Sequence, residues 1–146
     1  MTATLPTNGR QGEVFEVSGR IDQYGNVLLP VVIVAADGVE LELEAIVNLQ
    51  FAGALVVPDL LSQSVGWCCL GARKVLVGNQ VTLMAHYLGL VAVGDEPKNV
   101  VALSAPDEVV MLGRKLLAGR KLTIDFERSL VRLEASCVDR DPCPSS

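Results

Sequence analysis

The stretch VVMLGRKLLAGRKLTIDFERSLVRLE, residues 109–134, decides the fold. Val109-Val110-Met111-Leu112 is an apolar run that stops at Gly113, a strand entering a turn where a residue without Cβ is favoured. Arg114–Ala118 is the one convincing helix in the chain. Lys121–Phe126 and Leu130–Glu134 then read as two strands of a closing hairpin over Glu127-Arg128-Ser129.

Upstream, the same grammar repeats without helices. Glu13–Val17 is short and partly alternating, and Asp22-Gln23-Tyr24-Gly25-Asn26 is a turn cluster. Val27–Ala35 is β-branched and continuous, as in a strand covered on both faces. Asp37-Gly38 is the strongest hairpin signal, and Val39–Glu44 after it alternates apolar and acidic residues. That strand suits an exposed edge, where glutamates discourage pairing with other chains. Ala45-Ile46-Val47 and Ala54–Val57 are buried strands around the loop 48–53, and Pro58–Leu61 looks like a single helical turn. Arg73–Val77 and Gln80–Leu83 flank Gly78-Asn79 as a second hairpin, followed by strands at Ala85–Val93 and Val100–Leu103. Many short strands with regular turns predict an all-β barrel or sandwich. Residues 1–11 are expected to be a flexible arm, 12–134 the folded domain, and 135–146 a disordered tail.

Composition bounds the function. The chain has 146 residues, 50% of them hydrophobic, and 12 basic against 17 acidic side chains for a net charge of −5. That is one domain's worth of core, with no basic face for nucleic acid. No signal peptide or membrane span is legible, so a cytoplasmic protein is expected, with no nucleic-acid or membrane partner. Cys68, Cys69, Cys137 and Cys143 lack zinc-site spacing, and His86 is the only histidine, so neither metal nor cofactor is expected. A Cys137–Cys143 bridge would require an oxidising compartment.

Three segments, in order, resemble the retropepsin-like aspartic peptidases. The first is Ala45-Ile46-Val47, then Phe51-Ala52-Gly53-Ala54-Leu55-Val56-Val57-Pro58 after a short loop. The second is the hairpin at Gly78 and Asn79, where that family keeps its flap. The third is Met111-Leu112-Gly113-Arg114-Lys115-Leu116-Leu117 leading into Leu122–Phe126, similar to the family's apolar-apolar-Gly-Arg-x-x-Leu turn and helix. The resemblance spans residues 12 to 134. It implies a small closed acid-protease-like β-barrel with one short helix near the C-terminus, assembled as a homodimer.

It also implies where the chemistry should be, and there the pattern breaks. Asn48-Leu49-Gln50 stands where the family has Asp-Thr-Gly. In such a dimer two facing carboxylates share one proton, one acting as base on water and the other as acid toward the scissile carbonyl. Asn48 has no proton to take or give, Leu49 cannot join a hydroxyl network, and Gln50 fills space that the family glycine leaves open. Loss of peptidase activity is therefore expected. Asp37, Asp59 and Asp125 read as a hairpin tip, a helix start and a structural strand residue rather than replacement acids. Gly113 is expected as a structural turn and Arg114 as an internal anchor near the active-site loop, with a solvated helix arginine as the alternative. Phe51 and Trp67 flank the implied groove but read first as core, and His86 as a packed or surface residue.

Three functions follow: a silent homodimer that binds extended peptide in a flap-covered groove, an active aspartic endopeptidase with a displaced acid, or a structural oligomerisation module. Strand addition needs backbone edges and side-chain pockets but no aspartate, which favours the first.

Overall fold

The first turns are built locally, by side chains that bind their own backbone. In the computed structural model, which describes residues 14–77 and 79–136, the Asp22 carboxylate accepts the N–H groups of Tyr24 and Asn26, each at 2.9 Å, and Gly25 takes φ +86°. This turn joins β1 (Val14–Ile21) to β2 (Val27–Val34). At the next turn Gly38 has φ +91° and Asp37 accepts the Val39 N–H, carrying β2 into β3 (Glu40–Val47). Asp37 is thus the hairpin tip that its Asp-Gly pair predicts.

The chain continues through β4 (Leu55–Pro58), α1 (Asp59–Ser64), β5 (Cys68–Val77), β6 (Gln80–Ala92), β7 (Lys98–Ala105) and β8 (Met111–Leu112). It ends with α2 (Arg114–Leu117), β9 (Lys121–Asp125) and β10 (Leu130–Ser136). The fold is all-β: one ten-stranded sheet in the order β9-β10-β1-β2-β3-β8-β4-β7-β6-β5. The sheet bends back on itself, and β2 also pairs with β6 through Val32↔Ala92, Ile33↔Val91 and Val34↔Leu90, giving a partial ring. Most pairings are antiparallel, but β3 with β8 and β4 with β7 are parallel.

The core fills the inside of this curve. Leu29, Val31, Ile33, Leu55, Val57, Val91, Leu112 and Val131 are fully buried, and Trp67 joins them by donating its indole N–H to the Val34 carbonyl at 2.9 Å. Burying such side chains stabilises by about 1.5–3 kcal/mol each before chain entropy is counted. Trp67 is therefore core, in line with its first reading.

Several elements differ from expectation. β6 is one strand of 13 residues, not two. Its first four residues are all exposed, so apolar alternation, the signal of a strand with one covered face, is missing where the hairpin projects from the sheet. β1 continues to Ile21 and β10 to Ser136, since each is the other's partner along seven register pairs. α1 extends the expected turn at Pro58–Leu61 into a second short helix. In β3 the glutamates at 40, 42 and 44 are exposed, and β8 reaches only Ile46 and Val47, so the acidic half is an open edge among the described residues. The expected arm, most of the tail, Gly78, Cys137 and Cys143 lie outside the described residues.

Candidate functional site

The loop 48–53 is held by the backbone of the segment that follows it in space, not in sequence. Asn48 N–H donates to the Leu112 carbonyl at 2.9 Å, and Gly113 N–H donates to the Ala54 carbonyl at 2.9 Å. Arg114 N–H reaches the Phe51 carbonyl at 2.9 Å, and Lys115 N–H reaches the Gly53 carbonyl at 3.1 Å. The end of β3, the start of β4, and the β8–α2 junction are thereby clamped together.

Packing makes the clamp specific. A Cβ on Gly113 would stand 2.5 Å from the Phe51 ring and closer still to the Gly53 carbonyl oxygen. A Cβ on Gly53 would stand 2.6 Å from the same ring. Gly113 has φ −99° and ψ 178°, which any residue adopts, so its requirement is space and not a special backbone conformation. The expected turn glycine is in place, for a different physical reason.

Within the loop, Asn48 is half-buried and its amide is engaged on both sides. Its Nδ2 donates to Met111 Sδ at 3.2 Å, and its Oδ1 accepts the Gln50 N–H at 3.0 Å. Leu49 is 52% exposed and Gln50 is exposed. From Ala45 to Pro58 no side chain is ionisable at all. The next acid, Asp59, accepts a short hydrogen bond from the Ser104 hydroxyl, which also contacts the buried Ser62 hydroxyl at 2.9 Å. Asp59 therefore ties α1 to β7, in keeping with its expected place at a helix start. Phe51 packs with Val56 and Val75 against Met84, Leu103 and Ala105, an apolar cluster that links the loop to the β5–β6 hairpin.

That hairpin pairs from Cys68↔Leu88 to Val77↔Gln80, with Asn79 in the turn. Asn79 and the loop 48–53 thus belong to elements joined through the Phe51 cluster. His86 lies opposite Gly71 and Leu103, half-buried, with its Nδ1 lacking a hydrogen-bond partner among the described residues. The exposed thiols of Cys68 and Cys69 lie closest to backbone oxygens, 3.9 Å away, and make no bond to the imidazole. No group of three His, Cys, Asp or Glu side chains able to hold a metal occurs among the described residues.

Arg114 departs from the anchor that the resemblance implies. It is exposed and forms no ion pair among the described residues, because α2 turns its first position to solvent while Leu116 and Leu117 face the core. The buried arginine is Arg120, which donates to the Val93 carbonyl at 2.7 Å and pairs with Asp95. Lys98 reaches the same carboxylate at 3.0 Å. Asp95 lies 25 positions from Arg120, and it stands in a turn, Gly94-Asp95-Glu96-Pro97-Lys98, where nothing in the sequence marks it as the partner.

A separate cleft of about 390 Å³ is lined by Ser18, Gly19, Arg20, Pro30, Glu42, Leu43 and Glu44. Its charges are largely spent: Arg20 binds Glu44 through two contacts of 2.8 Å. This hydrogen-bonded pairing holds the Glu44 carboxyl below the usual glutamate range. The cleft shares no residue with the loop 48–53 or the β5–β6 hairpin.

Among the described residues no helix is long and apolar enough to cross a membrane. No family model matches the chain, and no curated protein matches its sequence.

Proposed function

We propose that this chain is a retropepsin-like domain whose partial ring is the closed barrel of acid proteases, acting as a catalytically silent homodimer that binds extended peptide. One observation carries the silent reading: the clamped loop, which the resemblance aligns with the family's Asp-Thr-Gly, lies in a stretch with no ionisable side chain from Ala45 to Pro58. Peptide hydrolysis of this type needs an acid and a base on one water. An amide already committed to Met111 and to the Gln50 N–H supplies neither.

The order of elements supports the family. An apolar strand, a clamped loop, a projecting hairpin and a late Gly–helix–hairpin unit follow one another in the order that the resemblance implies, with α1 as an addition. The exposed Leu49 beside the exposed Gln50 supports the dimer, since a second copy facing this loop would cover the leucine.

The test is a fluorogenic peptide assay in mild acid with and without pepstatin, run beside sedimentation at micromolar concentration. Wild type should sediment as a dimer and cleave nothing. Pepstatin-sensitive cleavage by wild type would overturn the silent reading, and a monomer at all concentrations would overturn the dimer.

A further inference from the structure

The charges of this chain are unevenly spread. Residues 60–94 contain Arg73 and Lys74 and not one of the 17 acids. Both cations are exposed on β5, and neither forms an ion pair among the described residues. β5 bonds to β6 on one side only, so along its other side every second residue offers an N–H and a C=O to an incoming strand.

The register fixes which side chains stand together. Lys74 lies opposite Leu83 and shares a face with Leu76 and Val81, while Arg73 lies opposite Met84 and shares a face with Val75. Leu70, Leu76, Val81 and Leu83 are all exposed. The edge is thus apolar at both ends and basic in the middle, on an otherwise acidic protein.

Two occupants fit this edge poorly. Antiparallel pairing with the same strand of a second copy, centred on the cations, would set like charges against each other. A lipid surface offers no backbone groups for the open ladder. An extended peptide with carboxylates at the matching positions satisfies both the ladder and the charges.

We infer that the β5 edge selects extended peptides carrying two adjacent acidic residues beside apolar ones, with Arg73 and Lys74 as the specificity-determining residues. This deepens the peptide-binding reading above and rests on it. An antiparallel partner running from Leu76 back to Leu70 reads Leu-Val-Glu-Glu-Ser-Ala-Leu.

Fluorescence anisotropy of that labelled peptide, of its Gln-Gln counterpart and of its Lys-Lys counterpart tests the inference with the full chain. Two exposed charge pairs should make the acidic peptide about fivefold tighter than the neutral one. About 1 M salt should erase the difference. The R73E/K74E double variant should reverse the order and favour the Lys-Lys peptide, which also controls for folding. Equal binding of all three peptides would refute charge selection while leaving peptide binding at the edge intact. No binding of any peptide would refute the peptide-binding reading itself. Capture by phosphatidylserine vesicles in place of the acidic peptide would reassign the patch to a lipid surface.

Discussion

Gly113→Ala is the sharpest probe of the clamp that shapes the candidate site. The added methyl would meet the Phe51 ring at 2.5 Å and the Gly53 carbonyl carbon at 2.9 Å. Forcing a methyl into packed surroundings costs about 1–3 kcal/mol. Moving Gly113 away also stretches its N–H bond to Ala54 and the Arg114 N–H bond to Phe51, each worth about 1 kcal/mol. The expected loss is roughly 3–5 kcal/mol, a large share of the ~5–15 kcal/mol of a small domain. With a urea slope of about 1–3 kcal/mol per molar, the midpoint should fall by roughly 2 M. Gly119→Ala is the contrasting control. Gly119 has φ +78° and open space around it, so only backbone strain of about 1 kcal/mol applies. Phe51→Leu combined with Gly113→Ala should recover little, because the Gly53 backbone remains in the way. A Gly113→Ala midpoint within experimental error of wild type, or below it by less than the Gly119→Ala shift, would refute the close-approach account.

Two further outcomes follow from the ion pairs and turns. Arg120→Met should cost about 3 kcal/mol in urea unfolding because it removes the buried partner of Asp95, leaving it Lys98 and the Val93 N–H, and leaves the Val93 carbonyl without its Arg120 donor, whereas Lys98→Met, at an exposed pair, should cost under about 1 kcal/mol. Asp22 is held below the ordinary aspartate range, chiefly by the Asn26 N–H, so its contribution is present above the unfolded value and lost as pH falls through the folded one. The stability gap between wild type and Asp22→Asn should therefore close on acid titration, as pH falls from above the ordinary aspartate value through the lowered folded one, and a gap that widens on acidification would contradict the turn's role.

What was legible in the sequence was local. The Asp22 turn and the Asp37-Gly38 tip each depend on residues within a few positions of one another, so composition reveals them. The unity of β6 was not legible, because the exposed first part of the strand has no covered face to impose a period. The Arg120–Asp95 pair was not legible either, since it joins residues that only the folded sheet brings together. Gly113 stands between: its glycine was visible, but the crowding that requires it comes from Phe51 and Gly53, some sixty positions away. The loop's place opposite β8 was approached only through the resemblance, for the same reason.

The clamp also shows that the shape of the loop does not depend on an acid at position 48. The bonds that hold the loop come from backbone groups of Asn48, Phe51, Gly53 and Ala54, and the space it occupies is set by Phe51, Gly53 and Gly113. Side chains at 48–50 take little part, apart from the Asn48 amide, whose oxygen caps the Gln50 N–H just as a carboxylate would. Replacing an acid there removes a charge from a half-buried position and gives the nitrogen a partner in Met111 Sδ. Folding therefore exerts no pressure to keep an acid at 48, and only catalysis would. The hairpin is different: its exposed leucines and cations do nothing for the core, so the fold does not require them and substitutions there should leave stability almost unchanged.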